Sequence, residues 1–338
     1  MTVHRINVAT PGPARSFARR AAVWPLLAAT CVAGLLAVGS PARAAVALYQ
    51  ATVPLKSPAE ADRAAAFGEA LKVAAVRASG RSDAGSAPAI ASAAAAPTNY
   101  IQQYSTTADR MLKVGFDDRA MEQLLQQAGL PLWPAERPVT TVYLFLPTVA
   151  GGVRAITAAE RPVECIEIER AAAARGVPLN WPSETVDLAS ARGRTLATGP
   201  KAAALLGAPG ATGYDWTFGH AGQSARMQGG LASGMGLAAD ALANRYAPGS
   251  TRSVRTVSIK VGGLEGVRAY AALTKYLEGL SLVRAVSLRS LAGSTAQFDL
   301  DVRGDLELLR RIVALDGRLQ PAAPGETPAE MAEFTWQS

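Results

Sequence analysis

Few side chains of this 338-residue sequence could make or break bonds, and their neighbours decide how far each can go. Beyond residue 44 a single cysteine, Cys165, and a single histidine, His220, remain. Together they could form a thiolate and its general base. Apolar residues at helical spacing around Cys165 (Val163, Ile166, Ile168) instead mark a small buried hydrophobe. The run Phe218-Gly219-His220-Ala221-Gly222 places His220 in a solvated, glycine-rich loop. One cysteine closes no intrachain disulfide, and one Cys plus one His fall short of a usual zinc ligand set. Glu164 and Glu167, one helical step apart, could act as a general acid/base pair, although a solvated helix face explains them as well. Asp187 and Asp215 complete the carboxylates on which a glycan hydrolase could be built, provided they converge in one cleft with shifted pKa values. Asp299-x-Asp301-x-Arg303-Gly304 opens like a calcium loop, but Arg303 takes the fifth ligand position and Arg310 stands where the bidentate Glu belongs. Gly234-Met235-Gly236-Leu237-Ala238-Ala239 imitates a dinucleotide fingerprint; with polar, Gly-rich sequence upstream and no acid near 254–259, it reads as close helix packing. The expected sets of catalytic, cofactor-binding and metal residues are therefore all empty.

The first 44 residues read as an export leader. Arg5, Arg15, Arg19 and Arg20 form a basic start, Ala21 to Gly39 an apolar run, and Ser40-Pro41-Ala42-Arg43-Ala44 a small-residue ending. Cleavage is expected between Ala44 and Ala45, with delivery to the periplasm. An uncleaved anchor would be the one route to a membrane. Cys31 lies inside the apolar run, and Thr30 before it argues against lipid attachment. The whole chain carries +7, but five of its 34 basic residues sit in the leader; the remaining 29 against 27 acidic residues leave +2. That balance gives no footprint for nucleic acid.

These residues are carried by three modules and a tail, in an α+β and α/β plan of small tandem units. The first covers 45–133. Tyr49, Ala51, Val53 and Leu55 alternate as a strand; Ser57-Pro58-Ala59-Glu60 starts a helix that Gly80 ends. An Ala/Ser-rich connector over 82–97 leaves room for a short helix. Strands follow at Tyr100–Ser105 and Met111–Phe116, and Asp117 caps a helix stopped by Gly129. The second module, 137–248, is expected to be Rossmann-like: a buried strand at Thr140–Leu146, a helix from Arg161 to Arg175 ended by Gly176, a short strand at 177–182, a short helix at Lys201–Leu206, a strand at Gly213–Phe218 and a long helix from Leu231 to Tyr246. The third, 254–321, is a compact β-α-β-β-α unit. Its helix is expected to bury Val267, Tyr270, Ala271, Thr274 and Leu277, and its strand at 296–303 puts Asp299 and Asp301 on the wet face. Residues 322–338, rich in Pro, Ala and Glu, read as a disordered tail.

Met111-Leu112-Lys113-Val114-Gly115-Phe116-Asp117, then Ala128-Gly129-Leu130-Pro131-Leu132-Trp133, then Arg137-Pro138 before an apolar strand form an ordered set of packing and turn residues. So do Tyr49 to Leu55, Ala78-Ser79-Gly80, Ala173 to Pro182, Ala238 to Ala247 and the third module. With these the chain resembles the exported proteobacterial family called domain of unknown function 2066 (DUF2066). The resemblance spans nearly all residues beyond the leader and implies no particular activity. The chain departs from the family between Ala204 and His220, a short stretch, as though a strand that family members carry had been trimmed from the second module's sheet.

The functional expectation is a non-catalytic protein of the cell envelope that binds another envelope protein. Two alternatives stand beside it: a carboxylate-dependent envelope hydrolase, and small-ligand binding by the middle module.

Overall fold

The computed structural model describes residues 46–322 and 331–337. The leader, its cleavage point and the segment 323–330 lie outside the described residues. The described part is a mixed α+β protein with eight α-helices and three sheets.

The N-terminal module follows the expected order. Strands β1 (Gln50–Pro54), β2 (Ile101–Thr106) and β3 (Met111–Phe116) form an antiparallel sheet in the order β1-β3-β2. Helix α1 (Glu60–Ser79) packs on it through Ala70, Leu71, Ala74, Ala75 and Ala78, all fully buried. Such small side chains let backbones approach closely: a Cβ on Gly68 would strike the carbonyl of Ala94, in α2 (Pro88–Ala95) within the Ala/Ser-rich connector. Helix α1 starts two residues later than the capping sequence implies. Ser57 does not cap it; its Oγ accepts from Ala59 N at 3.2 Å and bonds Asp62 Oδ2 at 2.5 Å. Helix α3 (Asp118–Gln127) is capped as its sequence states, Asp117 Oδ1 accepting from Ala120 N at 2.8 Å.

The middle module holds β4 (Val139–Pro147), β5 (Val153–Ala155), α4 (Val163–Arg175), β6 (Leu179–Asn180), α5 (Leu188–Leu196), β7 (Ala202–Gly210), β8 (Gly213–His220), β9 (Gln223–Gly229) and α6 (Leu231–Tyr246). The sheet runs β5-β4-β7-β8-β9, with β6 also on β4. Only β4 with β6 and with β7 are parallel pairs; β4–β5, β7–β8 and β8–β9 are antiparallel. The sheet is thus mixed, where a Rossmann-like unit would be parallel. One reading is corrected here. Lys201–Leu206 is not a helix: Ala203, Ala204, Leu205 and Leu206 are all buried in strand β7, covered on both faces, and such a run has no period to separate it from a helix. The stretch from Ala204 to His220 holds two long strands joined by a hairpin at Gly210–Gly213.

The C-terminal module contains β10 (Val254–Gly262), α7 (Gly266–Glu278), β11 (Val283–Ala292), β12 (Thr295–Arg303) and α8 (Leu306–Val313), the expected β-α-β-β-α order. Ala296, Phe298, Leu300 and Val302 of β12 are buried under the helices. The tail corrects the expectation of disorder over 331–336. After β13 (Leu319–Pro321), strand β14 (Met331–Trp336) pairs in parallel with β10, giving the order β11-β12-β10-β14-β13. The tail is rich in Pro, Ala and Glu, but Ala332, Phe334 and Trp336 alternate and all three are buried, a period-2 signal that composition alone hides.

The middle and C-terminal modules are not separate beads. One apolar core runs from Trp133 through both to Trp336, while the N-terminal module keeps its own core. Trp133, at the expected end of the first module, is buried in that shared core.

Candidate functional site

The residues singled out by their chemistry do not meet. Cys165 is wholly buried in α4, and burial, with Glu169 adding repulsion, pushes its thiol up to about 11. A thiol held protonated is a poor nucleophile. His220 corrects its expected place in a solvated loop. It ends strand β8, is 3% exposed, and uses both ring nitrogens: Nδ1 lies 2.8 Å from Ala202 O and Nε2 2.8 Å from Tyr246 Oη. Since a carbonyl can only accept, Nδ1 carries the proton and Nε2 accepts from Tyr246, a neutral tautomer. Burial lowers the pKa of His220 and raises that of Tyr246, so the pair stays neutral.

The carboxylates are dispersed. Glu164 and Glu167 lie on α4, near enough to Tyr214 for their charges to add to the burial that raises its phenol. Asp215 follows Tyr214 in the strand, so it projects to the opposite face, where it accepts from Gln228 Nε2 at 2.7 Å. Asp187 caps α5, accepting from Ser190 N at 2.9 Å and Ser190 Oγ at 2.6 Å, and these bonds hold its pKa down. Asp299 and Asp301 accept from Ser258 Oγ and Thr256 Oγ1, each at 2.6 Å, across the strands of one sheet face. Arg289 also lies 3.1 Å from Asp299. A strand, β9, does precede the Gly234–Ala239 run, contrary to the polar reading of that stretch. Its glycine nevertheless serves packing: a Cβ on Gly234 would strike the Trp216 ring. Among the described residues no His, Cys, Asp and Glu group could hold a metal ion.

What the structure does bring together is a cluster of arginines where helices α1 and α4 end. Both helices finish at glycines in left-handed conformation, Gly80 (φ 72°) and Gly176 (φ 67°). Their last carbonyls, the negative ends of the two helix dipoles, face each other. Arg137 lies between them, 5% exposed. Its Nη1 donates to Gly176 O at 2.6 Å, Nη2 to Arg77 O at 2.8 Å and Trp133 O at 3.2 Å, and Nε to Pro134 O at 3.0 Å. The guanidinium also lies 3.6 Å from the Trp133 ring centroid. Among the described residues no carboxylate bonds it; main-chain carbonyls balance its charge. Burial first, then the nearby Arg77, pulls its pKa well below the usual arginine value, with Glu136 opposing. Arg77 itself donates to Gln50 O and, at 2.6 Å, to Ala173 O. Arg175 reaches Gly80 O at 3.1 Å and Asp240 on α6 at 2.6 Å. Gly176 has no room for a side chain, since a Cβ there would strike Arg137 Nη1.

Two further junctions tie in the C-terminal module. Buried Glu136 accepts from Ser281 N at 2.9 Å and Ser281 Oγ at 2.6 Å, while Ala135 N donates to the same hydroxyl at 2.9 Å. On α3, Glu122 pairs with Arg284 and, at 2.9 Å, with Arg303. These two arginines stand on β11 and β12. Beside them lies a shallow hollow, open to solvent, lined by Glu122, Leu125, Gln126, Leu130, Leu132, Arg252 and Arg303.

Comparison with protein families divides the chain in the same places. Residues 257–335 match the DUF2066 family model. That match bears out the resemblance over the C-terminal module, β14 included. Residues 42–134 match a second model, described as Domain of unknown function (DUF8605). The quoted residues Met111–Asp117 and Ala128–Trp133 thus fall in the DUF8605 match, and those between 135 and 256 fall outside both. No curated protein and no solved structure matches the chain.

The arginine junction was missed in the sequence because its partners are main-chain atoms, which leave no residue-type signature. The signal that could have found it was Arg137-Pro138 directly before an apolar strand: an arginine where the chain was about to be buried.

Proposed function

We propose that this chain is a non-catalytic, exported protein of the cell envelope that holds its modules in one frame and presents surfaces to another envelope protein. One observation carries the reading. The buried junctions at Arg137 and Glu136 lock the described modules together, while among the described residues one face of the DUF2066 sheet meets α3 only at its Arg284 and Arg303 end and is otherwise partly exposed. That face carries Thr256, Ser258, Lys260, Gln297, Asp299, Glu333 and Thr335, and Lys260 meets Glu333 at 3.0 Å across it. A rigid frame costs little ordering entropy when it docks, and a face of both charge signs favours a specific protein over a polyanion. Within this reading the middle module, Rossmann-like only around its parallel β6-β4-β7 strands, serves as a spacer. The leader pattern supports delivery to the periplasm.

The test is site-specific photocrosslinking in cells, with a benzoylphenylalanine at Gln297 or Thr335 and a control at Glu69 on α1. A discrete adduct from the sheet face and none from the control is expected. Adducts from neither face position, or turnover of wall glycan by the purified chain, would overturn the proposal. Mass analysis of the mature N-terminus is expected to find Ala45.

A further inference from the structure

Helix α7 does not bury the stripe its sequence implies. Leu273 and Leu277 face the core, and Tyr270 stacks on Phe298 with centroids 6.1 Å apart, but Val267 is 83% exposed and Ala271 is exposed as well. Helix α7 packs against β11, the strand at one edge of the sheet. On that strand Leu288 pairs with Phe298 and Leu291 with Ala296, so both leucines lie on the helix-covered side. Among the described residues no further strand lies beyond β11, and the two leucines are 45% and 55% exposed. An apolar trough therefore runs between α7 and a ten-residue strand whose outer backbone groups face solvent.

We infer that the trough between α7 and β11 takes an extended, acidic segment of another protein, added as a sixth strand to the DUF2066 sheet; this deepens the interaction reading above and rests on it. Main-chain hydrogen bonds to the β11 edge would supply the pairing, and alternate apolar side chains would fill the trough beside Val267, Leu288 and Leu291. Charge selects the occupant. Strand β11 carries Arg284 and Arg289 and no carboxylate, and the exposed Arg268 stands on α7. Arg284 and Arg289 already meet Glu122 and Asp299 on their inner sides. The acids of α7 itself, Glu265 just before its first residue and Glu278 at its last, sit at the two ends of the helix. A second copy paired through the same strand would put four arginines and no carboxylate on one two-stranded ribbon, which like-charge repulsion opposes. The register shifts between Val283 and Ala285 and between Leu288 and Ser290 also bend the edge away from flat self-pairing. A flexible acidic strand meets neither obstacle.

The experiment uses the full chain and two eight-residue probe peptides, one alternating valine with glutamate, the other valine with lysine. Hydrogen exchange of the amides in 283–292 is followed with and without peptide. The Val/Glu peptide is expected to slow that exchange at least tenfold and to bind at least tenfold more tightly than the Val/Lys peptide. The doubly substituted Leu288→Ser/Leu291→Ser chain, altered only at half-exposed positions, is expected to bind it at least fivefold more weakly with an unchanged unfolding midpoint. Equal binding of both peptides, protection elsewhere than 283–292, or no protection would overturn the inference. So would protection of 283–292 in the absence of peptide that grows with protein concentration, which would identify a second copy as the occupant. Photocrosslinks at Gln297 alongside an inert β11 would sink this inference alone; their absence would sink the broader reading.

Discussion

Two junctions hold the N-terminal module in place, and they are built from opposite materials. At Arg137 a buried cation is met only by main-chain oxygens and an indole face. At Glu122 an anion is met by two arginines, Arg303 14% and Arg284 35% exposed at their side chains. The first is dry, deep and indifferent to ions. The second borders a solvent-open hollow and depends on charge pairs that salt can screen. The difference teaches where rigidity resides: α1 and α4 are fixed to each other without charge pairing, and α3 is held to the DUF2066 sheet by pairs that can be loosened.

The largest effect is expected from Arg137→Met, which leaves the ends of two helices facing each other unsatisfied. A loss of about 3–5 kcal/mol is expected in urea unfolding. Arg137→Lys should recover less than half of it, because an ammonium cannot reach four carbonyls in fork geometry. Gly176→Ala comes next, at about 2 kcal/mol or more, since it combines a left-handed backbone with a collision against the same guanidinium. A cost below about 0.5 kcal/mol would mean that Arg137 can move aside and the junction is soft. Glu122→Gln should cost only about 1 kcal/mol, discounted for the solvent that reaches Arg284. That cost should vanish in about 1 M salt, while the cost of Arg137→Met persists; equal salt dependence would erase the contrast between the junctions. Asp299→Asn, on the open sheet face, should change stability by less than about 0.5 kcal/mol.

His220 adds a pH-dependent arm. Its pKa is depressed by burial, so the unfolded chain binds the proton more readily than the folded one. Its contribution is therefore complete above the ordinary histidine value of about 6.5 and is lost as pH falls below that. In His220→Gln the slope of stability between about pH 6.5 and 5 should flatten, as measured by urea midpoints across that range.

Much of the fold was legible where one residue settles a local question. Asp117 caps α3, and Gly80 and Gly176 end their helices in the left-handed conformation that their sequence positions require. The alternation from Ala296 to Arg303 is a half-buried strand as read. Legibility failed where the deciding contacts are distant in sequence. β7 is buried on both faces and so lost its period. His220 follows a glycine and precedes Ala221-Gly222, so its turn-like neighbours hid a partner, Tyr246, that only the folded α6 supplies. β14 was concealed by the Pro/Ala/Glu composition around it. For the candidate surfaces, the sequence reported α7 as having an apolar face but could not report that part of this face lies beyond the reach of its own sheet.

The cage around Arg137 has an evolutionary corollary. A guanidinium that grips peptide oxygens does not read the side chains attached to them, so Arg77, Trp133 and Pro134 could be exchanged without dissolving those particular bonds, so long as the main chain keeps its course. The positions that cannot drift are the gripping arginine and Gly176, whose lack of a side chain makes the space. Lineages of this protein could thus diverge widely around the joint while keeping the same angle between the helices it fastens.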